Sequence, residues 1–150
     1  MKCLGAANAL SYVAGMSHHG QPPRFAPTPQ EIETLALEAL SRLPDPFNSY
    51  LSDVVLFVEE FASADILKEM EIDDPFGLTG LYSGRPVGQE AQTGDIPPTV
   101  HLFRRPLLDE WVETGVPLDV LITHVVVHEI GHHFGLSDID MHVLEDMVAS

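Results

Sequence analysis

Apolar positions first become regular at residue 32. Ile32, Leu35, Ala36, Ala39, Leu40 and Leu43 recur at three- and four-residue spacing, which places them on one face of a helix. The preceding Thr28-Pro29-Gln30-Glu31 is a start signal. Thr28 can cap the free N–H groups, Pro29 fits the first helical position, and Glu31 completes a reciprocal capping box. Pro44 and Pro46 stop the helix. Upstream, residues 1–24 have no periodicity and read as a disordered N-terminal extension, in which His18 and His19 belong to a solvated tail.

After the first helix the pattern changes. Val54-Val55-Leu56-Phe57-Val58 is β-branched and aromatic and reads as a buried strand. Ser63 to Met70 reads as a short helix. The glycines between Gly77 and Gly88 surround Leu81-Tyr82 and suggest strand and turn. Residues 89–98 read as a loop ending at Pro97-Pro98, and Thr99 to Phe103 as another strand. Pro106 then opens a helix carrying Leu107, Leu108, Trp111 and Val112, which closes near Gly115. The last strong helix spans Leu118 to Phe134, with Asp119 near its positive end and Gly135 as its stop. Leu121, Ile122, Val125 and Val126 form its apolar side. The order helix, strand, helix, strand, strand, helix, helix predicts one α+β domain over residues 25–150.

Composition narrows the function. A chain of 150 residues can bury roughly two-thirds of its unfolded surface and needs no staple. Cys3 stands alone, so a disulfide scaffold is not expected. The formal charge is −16, from 23 acidic against 7 basic residues. A phosphate-binding surface needs clustered cations, and only Arg104 and Arg105 are adjacent, so nucleic acid is a poor partner. No apolar run approaches the ~20 residues that span a bilayer, so no membrane role is expected. At the N-terminus, Asn8, Ser11 and Tyr12 interrupt what would be a weak signal-peptide core. A cytoplasmic location is therefore the expectation; translation starting at Met16 is a second reading of this segment.

The chemistry concentrates in His128-Glu129-Ile130-Gly131-His132-His133-Phe134-Gly135-Leu136-Ser137-Asp138. Helical residues four apart share a face, so His128 and His132 can aim imidazole nitrogens at one ion. Zinc accepts such ligands, and a third is needed for a tight site that keeps a position open for water. Gly135 can take the left-handed conformation that turns the chain back, letting Asp138 supply a carboxylate. Glu129 follows the first histidine by one residue and so points toward the water rather than the ion. It is the candidate general base for attack on a carbonyl. Two imidazoles and one carboxylate also suit iron, cobalt or manganese.

Neighbouring residues carry weaker expectations. His124 precedes His128 by one turn and is read as a residue supporting the ligands from behind or lying on the rim, because a fourth ligand would close the site. His133 points off the ligand face. Asp140 or His142 replaces Asp138 if the turn runs differently, and His142 is alternatively a transition-state stabiliser. Met141 is placed beneath the site, and His101 and Tyr82 are candidates to line the cleft.

The chain resembles the small bacterial zincin-like metallopeptidase family that carries HExxHxxGxxD, the minimal zincins. The resemblance runs from about Phe25 to Met141. Besides the motif it includes Phe25 to Pro29, Asp74 to Tyr82, and Leu102 to Pro106. It implies a minimal zincin-like core, with a small β-sheet packed against an active-site helix. It also implies His128, His132 and Asp138 on zinc, Glu129 as base, and a peptide or protein substrate lying along an edge strand. The function expected is thus peptide hydrolysis through a zinc-held water. Two other readings are kept: a catalytically silent metal-binding or interaction protein on the same fold, and a metal-dependent ribonuclease. The −16 charge and the acidic residue at position 129 both speak against the ribonuclease.

Overall fold

The structure, a computed structural model, describes residues 24–86 and 89–149. The expected tail, with Cys3, His18 and His19, lies outside the described residues apart from Arg24.

Helix α1 spans Pro29–Ser41 and begins as its sequence predicts. The Thr28 hydroxyl accepts from the Glu31 N–H at 3.2 Å, and the Glu31 carboxylate accepts from the Thr28 N–H at 2.6 Å. Both free donors are thereby satisfied. A short turn of helix, α2 (Phe47–Tyr50), leads to strand β1 (Val55–Glu59). Helix α3 (Ala64–Glu69) is capped by Ser63, whose hydroxyl accepts from the Ile66 N–H. Strands β2 (Gly80–Ser83) and β3 (Thr99–Phe103) follow, then α4 (Arg104–Thr114), α5 (Leu118–His133) and α6 (Asp138–Ala149). Among the described residues no helix is long and apolar enough to cross a membrane.

The sheet has the order β1-β3-β2. Strand β1 is parallel to β3, from Val55 opposite Thr99 to Glu59 opposite Phe103. Strand β2 is antiparallel to β3, from Gly80 opposite Leu102 to Ser83 opposite Thr99. Alternation along β3 sends Val100 and Leu102 to one face, where they join Ile32 and Ala36 of α1 and Ile122 and Val126 of α5. Phe103 turns to the other face with Ala62 and Leu78.

Three departures from the sequence reading have local causes. Strand β1 is not buried: it is an edge strand, with Phe57 half exposed and stacked on His101. A continuous apolar run does not distinguish a central strand from an edge strand. Helix α4 starts at Arg104 rather than Pro106, straight from β3. Glu60 holds that first turn: its carbonyl accepts from the Arg105 N–H, and its carboxylate accepts from both Arg104 and Arg105. The third departure is α6, which was not predicted. Ser137 and Asp140 cap it reciprocally, and Met141, Leu144 and Val148 form its buried stripe.

Candidate metal centre

Helix α5 is the central rod of the domain. Leu121, Ile122, Val125, Val126, Val127 and Ile130 are all buried, so its apolar surface reaches nearly all the way round. What stays open is a stripe at four-residue spacing: Val120, His124, His128 and His132. The helix thus presents a row of three imidazoles, one per turn.

The row is not evenly spaced. His128 and His132 approach edge to face, with ring centroids 4.4 Å apart and Nε2 atoms 2.9 Å apart. Either one ring donates to the other, or both lone pairs converge on one cation. Two nitrogens sharing a tetrahedral ion at ~2.0–2.1 Å would lie roughly 3.3 Å apart. Reaching that separation takes a shift of a few tenths of an ångström, so this donor pair fits a divalent ion. Burial, then the neighbouring His132 and His124, hold the His128 imidazole below its usual pKa; Glu145 and Asp138 act in the opposite sense. A neutral imidazole is the form that ligates a metal.

The chain leaves α5 by a closed turn. Gly135 is left-handed at φ 69°, its N–H donates to the His132 carbonyl, and the Leu136 N–H donates to the Gly131 carbonyl. This pair of bonds is a Schellman motif and satisfies the last carbonyls of the helix. The turn brings Asp138, the first residue of α6, to a cavity of about 280 Å³ that it lines together with His128, Met141 and Glu145. Met141 lies against Gly131, where an added Cβ would meet its Cγ at 2.8 Å, so α6 packs directly under the motif.

Glu129 turns to the other side. Its Oε2 accepts the backbone N–H of Tyr82 in β2 at 3.2 Å. Burial pushes its carboxyl above the usual range, opposed by that hydrogen bond and by His132. A carboxylate so placed is a better proton acceptor than a solvated one. Helix and strand meet here because position 80 is glycine: a Cβ there would lie 2.7 Å from Val125 Cγ1 and 3.5 Å from Glu129 Cγ.

The remaining candidates separate. His133 is off the ligand face, stacked on the Tyr82 ring at 3.5 Å. Tyr82 is 5% exposed, its hydroxyl donates to the Arg85 carbonyl, and burial pushes its pKa up to about 12, so it supports the site rather than opening onto it. His101 sits on the sheet face that carries Phe103, between Glu59 at 3.0 Å and Ser83 at 3.1 Å. Asp140 is committed to the α6 cap. His142 is exposed, with Nδ1 3.8 Å from Glu145 Oε2. His124 meets α6 directly: its Nδ1 lies 3.0 Å from Glu145 Oε1. Glu145 was invisible from the sequence because α6 was not predicted. Yet His124, His128 and Glu145 form a group whose ligand atoms all lie within 4.8 Å of one another, and Asp138 is not part of it.

A search of curated proteins finds no match. The zincin-like metallopeptidase family matches residues 51–148, about two-thirds of the chain, from the end of α2 through α6. Helix α1 lies outside that span, although Ile32 and Ala36 complete the same core. The fold is an α+β core around a helix with paired histidines and a half-buried glutamate, and the family match spans all of these: this chain is a member of the zincin-like metallopeptidase family.

Proposed function

We propose that the protein is a zinc-dependent peptidase, with His128, His132 and Asp138 as metal ligands and Glu129 as general base. The observation that carries this reading is the division of labour on α5. Two imidazole nitrogens converge at 2.9 Å on one side, and a carboxyl raised by burial stands on the adjoining side against strand β2. A silent metal-binding protein has no need of a carboxyl raised in this way, since a glutamine would serve the Tyr82 N–H as well.

A divalent ion held there supplies Lewis acidity, activating a water and polarising the scissile carbonyl. Glu129 takes the proton released as that water attacks, then delivers it to the leaving amine. Its hydrogen bond to Tyr82 N–H orients the carboxylate and ties it to the backbone of an edge strand. A peptide laid along β2 would therefore run beside the base, with main-chain pairing supplying the affinity. His133 holds the Tyr82 ring from below by stacking.

Purified protein should carry about one zinc per chain. It should cleave members of a peptide library, lose that activity to a chelator, and lose it in Glu129→Gln with the metal retained. Loss on the order of 10²–10⁴-fold is expected for removal of a general base. Zinc-loaded protein that cleaves nothing across a broad library would leave only the metal-binding role.

A further inference from the structure

We infer that the chain has a second seat for the divalent cation, formed by His124, His128 and Glu145, which shares His128 with the seat at His128 and His132. The inference rests on the metal-site reading above and extends it. Its basis is geometric. The three donor atoms lie within 4.8 Å of one another. His124 Nδ1 and Glu145 Oε1 are already 3.0 Å apart, a separation that two ligands of one ion can adopt. The His124 and His128 rings are stacked 5.7 Å apart at 27°, and both line one cavity with Asp138, Met141 and Glu145 of α6.

Residue types and surroundings agree with that reading. The cavity of about 280 Å³ at this point is lined by His124, His128, His142, Asp138, Glu145 and Met141. Every one of these side chains except Met141 ends in an imidazole or a carboxylate. Glu145 is the fixed member, its side chain 18% exposed, whereas the His124 side chain is 49% exposed and the His142 side chain 76%. A largely covered carboxylate with two imidazoles beside it is an oxygen and nitrogen donor set suited to zinc, cobalt or manganese.

Sharing has a consequence. An ion between His124, His128 and Glu145 uses the face of the row away from His132. Because His128 cannot complete both seats at once, occupancy of the second draws the ion off the histidine that neighbours the base. It is a resting seat, from which the ion moves one helical turn to become catalytic.

Equilibrium dialysis against zinc, with cobalt absorption spectra as the second readout, tests this on the full-length chain. Wild type, His132→Ala and Glu145→Gln should each retain about one equivalent, and the double variant His132→Ala/Glu145→Gln should retain none. The cobalt spectrum of His132→Ala should differ from wild type and be unmoved by adding Asp138→Asn, since Asp138 serves the other seat. Gln at 145 can still accept from His124, so this variant keeps the local packing, and His124→Gln in the His132→Ala background reads the same seat independently. Metal-free His132→Ala overturns the second seat and leaves the proposed peptidase centre intact. Metal-free Glu145→Gln beside loaded His132→Ala overturns the seat at His132, and with it the peptidase centre and the transfer between seats, leaving His124, His128 and Glu145 to hold the ion.

Discussion

The Glu129 carboxylate accepts the backbone N–H of Tyr82 at 3.2 Å, joining the motif helix α5 to edge strand β2. One side chain thereby serves two ends: it satisfies a strand donor that no neighbouring strand reaches among the described residues, and it is held where the proposed base would act. The two roles can be separated by substitution. Glu129→Gln keeps an acceptor for Tyr82, whereas Glu129→Ala leaves that N–H without one, at a cost of about 1–3 kcal/mol. Chemical denaturation of the two variants should show Ala less stable than Gln, while both are inactive.

The same residue sets a pH dependence. Burial raises the folded-state pKa of Glu129 above its ordinary 4.5. The folded state therefore favours the protonated form, and its contribution to stability is present below pH 4.5 and lost as pH rises through the folded pKa. Glu129→Gln has no such loss. In the presence of a chelator, the difference in Tm between Glu129→Gln and wild type should move in favour of the variant as pH rises from about 4 to 7. A difference that stays flat over that range means the carboxyl titrates as an ordinary one.

Gly131 and Met141 make a coupled pair. A methyl at 131 meets Met141 Cγ at 2.8 Å and Sδ at 2.9 Å, and Met141 is only 2% exposed. Overpacking of this kind costs typically about 1–3 kcal/mol, against a helix-propensity gain near 1 kcal/mol for Gly→Ala. Gly131→Ala should therefore destabilise wild type, yet stabilise a Met141→Ala background by up to about 1 kcal/mol. A double-mutant cycle in urea reads the change of sign directly.

Gly135 has no such neighbour: nothing lies within 4 Å of a Cβ built there. Its requirement is conformational, at φ 69°. Gly135→Ala should cost roughly 1–2 kcal/mol and Gly135→Asn less, since asparagine tolerates the left-handed region. The turn also sets where α6 begins, so Gly135→Ala should weaken zinc binding more than its loss of stability alone implies. Competition with a chromophoric chelator measures that loss.

These cases show what a single chain of residues reveals and what it hides. The pairing of His128 with His132 was legible because helical spacing is local: four residues fix a shared face without knowledge of the rest. The α1 cap and the Gly135 stop were legible for the same reason. Strand β1 was found but misplaced in depth, since nothing in Val54 to Val58 says whether a second neighbour strand exists. Helix α6 was missed because Ser137 and Asp138 were read as turn and ligand. The signal was present in Ser137 with Asp140, followed by Met141, Leu144 and Val148 at helical spacing. Glu145 depends on how α6 folds back on α5, a long-range packing outcome that no local pattern carries. The link from Glu129 to Tyr82 spans 47 positions and is of the same kind.

Metal removal should change both the stability of the protein and its response to acid. Burial holds the folded-state pKa of His128 below its ordinary 6.5, so the neutral form is favoured on folding. That contribution is fully present above pH 6.5 and is lost as pH falls through the folded pKa. His133 has the same sign and the same leading cause. Chelated protein should therefore lose Tm as pH is lowered from about 8 to 5, and His133→Ala should lose less over the interval. Zinc should add a second term: an ion that binds only the folded chain stabilises it by about 4 kcal/mol at a thousandfold excess over Kd. Protons compete with it for the same imidazoles. The Tm difference between zinc-loaded and chelated protein should then be largest near neutral pH and collapse toward pH 5. Replacing His128 by alanine should abolish that difference at every pH, because both ligand groupings on α5 pass through this one histidine. Differential scanning calorimetry across the pH series, with and without chelator, provides the measurement. A zinc-dependent Tm shift that survives His128→Ala would place the ion somewhere other than the histidine row.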